Sequence, residues 1–134
     1  MTVHHSLLPP GWKRPKGYAN GIAAAGRLIF TGGLVGWDAD ENFVGDTLPA
    51  QFRQVLINTL AVLTEGGAGP EHVVRMTWYV TDRASYLADL GRIGETYREL
   101  MGHNYPAMAV VIVSALIEPK ALVEIETTAV VPVA

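Results

Sequence analysis

The sequence predicts an α+β domain: one mixed β-sheet with two helices on one of its faces. Three observations carry that expectation. Two stretches, 49–65 and 85–101, repeat their apolar residues at helical spacing. Several others are β-branched or aromatic runs of strand length. The two kinds alternate in the order β-β-α-β-α-β-β within 134 residues, enough chain for one domain with a real core.

Residues 1–17 are rich in Pro and Gly and read as an irregular arm of a single domain spanning 1–134. "YANGIAAAGRLIFTGG" (18–33) suggests two short strands joined at Ala25, Gly26 and Arg27, since a glycine-containing joint between β-prone runs signals a hairpin. "GWDADENFVGDTLP" (36–49) is turn-rich and reads as a long loop with a short edge strand at 42–44. In the first helix Phe52, Val55, Leu56, Leu60 and Leu63 form the apolar stripe. Thr47 or Asp46 can cap its start, Pro49 suits its first turn, and "GGAGP" (66–70) ends it.

"HVVRMTWYVT" (72–81) is a strand whose alternation separates Val74, Met76, Trp78 and Val80 from Val73, Arg75, Thr77 and Tyr79. In the second helix Tyr86, Leu90, Ile93, Tyr97 and Leu100 recur at steps of four and three, with Asp82 or Ser85 as cap. A strand from 107 and a last strand at 122–131 complete the order. The connections through the helices are long enough for right-handed parallel crossovers.

Ala107 to Val113 contains no polar residue. A strand wet on one side alternates; this one needs cover on both faces, and two helices can cover only one. Leaving five large apolar residues in water would cost about 1.5–3 kcal/mol each. A second copy of the same sheet is the simplest cover, which predicts a symmetric oligomer. Charged residues are 17% of the chain, short of the usual quarter or so, which fits a surface partly hidden by self-association.

Composition also narrows the function. Without cysteine there is no disulfide, thiolate nucleophile or cysteine metal site. His4, His5, His72 and His103 form no metal-ligand spacing. "TGGLVG" (31–36) lacks both the P-loop lysine and a following helix, so no nucleotide or other cofactor is expected. The start does not read as a signal peptide and no run of 18 apolar residues occurs, so the expectation is a soluble cytoplasmic chain without a membrane partner. Net charge is −3 and the largest basic cluster is "KRPK" (13–16), which argues against nucleic acid as a partner.

Five segments together resemble the Rid (YjgF/YER057c/UK114) family of reactive-intermediate deaminases. They are "GYANG" (17–21), "IFTGG" (29–33), "AQFRQVLINTLAVLTEGGAGPEHVVRMTWYVTD" (50–82), "YPAMAVV" (105–111) and "VEIETTAV" (123–130). The resemblance implies a chorismate-mutase-like fold. It also implies a homotrimer with inward-facing sheets and a small-molecule cleft at each subunit interface. Residue by residue, Tyr18 matches a cleft-lining tyrosine and Glu124 the glutamate that holds the attacking water. Gly32 and Gly33 stand where the family has Ser-Gly, so the hydroxyl is missing. Met108 stands in place of the arginine that grips the substrate carboxylate, Val110 in place of a frequent cysteine, and Gly94 in place of an asparagine.

The implied function is hydrolysis of an enamine or imine, or a related catabolic intermediate. The alternative is a non-catalytic trimer that senses or carries a metabolite. Imine hydrolysis needs a base for water, and Glu124 is the candidate. Glu124 and Glu126 share one side of an alternating strand, which also fits two solvated carboxylates. Replacing a bidentate guanidinium by methionine removes about 1.5–3 kcal/mol of oriented binding and leaves adaptable apolar surface. Small 2-imino acids should bind poorly, and a larger, flatter or uncharged molecule should bind better, with Trp37 or Trp78 nearby. Met108 also fits simple core packing, and Arg14, Arg27 or Arg75 could replace the missing cation.

Overall fold

A computed structural model describes residues 1–133. The main sheet runs β3-β7-β5-β6, from Arg27–Phe30 (β3) through Val123–Val131 (β7) and Val73–Val80 (β5) to Ala107–Ile112 (β6). A two-residue strand, Leu34–Val35 (β4), continues the line of β3 along the same edge of β7. Only the β5–β6 pair is parallel. The segment between them includes helices Arg83–Ala88 (α2) and Leu90–Met101 (α3), as a parallel crossover requires. The fold is therefore the expected mixed α+β sheet with its main helices on one face.

The helix Leu48–Glu65 (α1) starts where Thr47 accepts the Ala50 amide, with Pro49 in the first turn. It ends where Gly67 takes a positive φ of 77° and the Ala68 amide returns to the Leu63 carbonyl. Its buried face, Phe52, Val55, Leu56 and Leu63, meets Met76, Trp78 and Val80 of β5 and Val123, Ile125 and Ala129 of β7. Ile93, Tyr97 and Met101 of α3 complete this core.

One buried polar side chain ties the layers together. Gln51 is fully buried; its amide nitrogen donates to the Gly45 and Lys120 carbonyls and its oxygen accepts from the Leu122 amide. Gln51→Leu keeps the size but strands three backbone groups. An unmet buried group costs about 1–3 kcal/mol, and these loops retain some access to water. Urea denaturation should show a loss of about 2–4 kcal/mol, and a midpoint equal to wild type would remove this residue from the stability argument.

Five local expectations are corrected. The joint at Gly26 is not a hairpin. Gly21–Ala23 (β2) pairs antiparallel with His5–Leu7 (β1), and β3 pairs with β7. Gly26 is needed for another reason: at φ 149° a Cβ would sit 2.2 Å from the Val131 carbonyl oxygen. The arm 1–17 is consequently not wholly irregular. Beyond β1, its Val3 amide reaches the Glu71 carbonyl and the His4 ring donates to the Val130 carbonyl. The second helix is broken at Asp89 into α2 and α3, with Asp82 capping α2. The segment 42–44 forms only an isolated bridge, Trp37 with Phe43. Finally, a bulge between Val73 and Arg75 shifts the register of β5, so Val73 rather than Val74 is buried.

Candidate functional site

A cleft of about 520 Å3 opens at the β6 edge of the sheet, on its helical side. Register places it there. Met108 lies opposite Met76 and Val110 opposite Trp78, so both project on the face that α3 covers. The strand runs past the end of that cover: Val110 is 36% exposed and Ile112 47%. Tyr18 reaches the same cleft because the Ala19 amide bonds to the Pro106 carbonyl and Ala19 bridges to Ala107. Three residues expected to line a site, Tyr18, Met108 and Val110, are thus brought together, and Trp78 joins them.

Aromatic rings form much of the wall. Tyr97 and Tyr105 stack with centroids 5.6 Å apart at 14°, and Trp78 lies 6.0 Å from Tyr97. The Tyr97 hydroxyl donates to the Asn104 carbonyl, and burial pushes its pKa well above the usual range, with the neighbouring Tyr105 adding to the effect. It therefore stays a neutral donor at physiological pH. Burial also raises Tyr86. The indole N–H of Trp78 is buried with no hydrogen-bond partner among the described residues.

Glu124, Gly32 and Gly33 lie elsewhere. Glu124 alternates with buried Val123 and Ile125, so it projects on the sheet face without helices. It pairs across β5 with Tyr79, which pairs in turn with Val111 of β6. Two strand spacings, roughly 10 Å, and the thickness of the sheet therefore separate Glu124 from the cleft strand. Gly33 lies directly beside it: a Cβ there would come 2.4 Å from a Glu124 carboxylate oxygen. Gly32 has open space at its Cβ position. On the same face the Tyr79 hydroxyl donates to Glu126 at 2.8 Å, which raises the Tyr79 pKa.

The arginines considered as substitutes are not in the cleft. Arg75 is exposed on the helix-free face, between Thr128 and Ala107, and Arg27 lies beside Gly67. Arg14 and Trp37 do not line the cleft either; Trp37 packs edge-on against Phe43. The cations that do line it are Lys16 and Arg98, neither of them anticipated. The signal for Arg98 was present: it stands four residues after Gly94, one turn along the same helical face. Of the expected core stripe, Tyr86 packs against the core and also lines the cleft, whereas Leu90 is half-exposed and lines the cleft only. Among the described residues, no group of three His, Asp or Glu could hold a metal ion, and no helix is long and apolar enough to cross a membrane.

The fold and cleft define an α+β protein with one main sheet and an aromatic-walled cleft at the edge of that sheet. A family model described as Endoribonuclease L-PSP matches residues 12–131. A RutC family protein of Pyrococcus abyssi is 33% identical over 118 residues, 87% of this chain and 88% of that protein. Among solved structures, a Rid family protein of unknown function from Yersinia pestis superposes with a TM-score of 0.82 at 34% identity, covering 96% of this chain and 98% of that one. TdcF of E. coli, solved with bound serine, gives a TM-score of 0.67 at 28% identity over 91% and 92% of the two chains. The chain belongs to the Rid/YjgF family.

Proposed function

We propose that this protein hydrolyses an enamine or imine to a carbonyl compound and ammonia, in a cleft completed by a neighbouring copy within a homotrimer. The observation that carries the reading is the division of the site. Tyr18, Met108 and Val110 lie in the cleft, while Glu124 and Gly33 lie on the opposite sheet face. One chain cannot bring them together. A cyclic oligomer can, by setting the helix-free face of one copy against the β6 edge of the next. Val111, Leu28 and Phe30, 38%, 57% and 66% exposed, provide apolar contact on that face. The serine bound by the TdcF relative supports an amino-acid-like ligand.

In the reaction, Glu124 of one copy accepts a proton from water as the water oxygen bonds to the iminium carbon. The carbon–nitrogen bond of the resulting adduct then breaks, and nitrogen leaves as ammonia once protonated. Gly33 matters here for its lack of a side chain, which leaves the carboxylate its place. Generating 2-iminobutanoate or an aminomuconate in situ and following ammonia tests the activity directly. No release above background from either would reject it.

Met108 and Gly32 favour a second reading, a trimer that binds a metabolite without turnover, because they lack the guanidinium and hydroxyl of the deaminating relatives. Met108→Arg discriminates. It should raise the rate on small 2-imino acids about tenfold or more through a restored charge-assisted contact. No gain would show that a single side chain does not account for the difference in this cleft.

A further inference from the structure

The cleft has a charge that the chain as a whole does not share. The protein carries −3, yet among the described residues two cations, Lys16 and Arg98, and no carboxylate line this cleft. Arg98 makes no ion pair among the described residues, whereas Arg53 is held by Glu99. Its direction is set locally. Helical side chains lean toward the preceding turn, and one turn before Arg98 stands Gly94. A Cβ at Gly94 would lie 3.3 Å from the Arg98 Nη1 nitrogen. The guanidinium therefore rests over bare helix at the cleft wall, in space that a larger side chain would occupy.

We propose that Arg98, assisted by Lys16, binds the carboxylate of a planar, conjugated acid in this cleft, with Gly94 as the residue that positions the guanidinium. The cation sits on the α3 wall, and Met108 lies on the strand wall. An anchored ligand thus extends across an apolar floor past the stacked Tyr97 and Tyr105. Flat π-systems suit such walls better than aliphatic chains do. The inference deepens the proposed function by naming its substrate class, and it rests on that reading only for the identity of the site, not for turnover.

Cinnamate serves as the probe, with cinnamamide as its uncharged counterpart and cyclohexanecarboxylate as a non-planar acid. In calorimetry at low salt, wild type should bind cinnamate, and Arg98→Met should weaken it about ten- to a hundredfold, the range for a charge-assisted contact. Arg98→Lys should recover part of the loss. Gly94→Val should weaken cinnamate with all charges retained, and cinnamamide should bind poorly and equally to every form. Arg98 is exposed, so its variants should fold, as thermal melts will check.

Failure of wild type to bind cinnamate at millimolar concentration overturns the proposal. So do equal affinity for the amide or the non-planar acid, and Arg98→Met binding as wild type does. Ammonia assays separate the two readings. Arg98-dependent cinnamate binding without release of ammonia from any imine would retain the anion site and reject the deaminase. Release of ammonia with no effect of Arg98→Met on cinnamate or on KM would do the reverse.

Discussion

Glu124→Gln is expected to lower the rate of ammonia release about a hundredfold or more while leaving affinity for cleft ligands unchanged. A positioned base contributes roughly 10²–10⁴ to such a step, and the amide keeps the shape while losing the ability to take a proton. Glu124 lies outside the core, so the fold should tolerate the change. If the carboxylate serves the cleft of another copy, the loss can be complemented. Trimers refolded from a mixture of Glu124→Gln chains and cleft-blocked Val110→Arg chains should regain activity that neither variant shows alone, because some interfaces then combine two intact halves. A wild-type rate for Glu124→Gln would remove it as the base. A large loss without complementation would place both halves of the site within one chain.

Val111→Asp should convert the proposed trimer to single chains of 14.4 kDa and abolish turnover with it. Val111 is 38% exposed on the helix-free face, so one chain alone can carry the charge in water. In a closed ring each copy would bury that carboxylate, on a face that already holds Glu124 and Glu126. Burying an unpaired ion costs several kcal/mol, repeated at every interface of the ring. Sedimentation equilibrium reads the result. A variant that keeps three times the chain mass would show that copies meet elsewhere, and the division of the site between copies would lose its basis.

Local chemistry was legible in the chain. Thr47 and Asp82 act as caps, the helix ends at its glycines, and Met76, Trp78 and Val80 share the buried side of their strand. These features depend on residues within a few positions of one another. The break at Asp89 was less visible because the apolar period continues across it. The pairing of β2 was misread because a glycine joint is a local signal, whereas strand partners are chosen by burial far along the chain. The resemblance gathered Tyr18, Met108, Val110, Gly32, Gly33 and Glu124 into one site. Within one chain they form two groups, because alternation along a strand settles only which of its own residues share a face.

The sequence by itself determined the α+β class, the extent of the first helix and the uncovered apolar strand, all of which follow from periodicity and from what water will not solvate. Only the tertiary structure decided that Glu124 and Met108 occupy opposite faces of the sheet, and that Arg98 rather than Arg14, Arg27 or Arg75 lines the cleft. The reason is register: the relation between two strands is set by pairing through a third, and no periodicity within either strand records it.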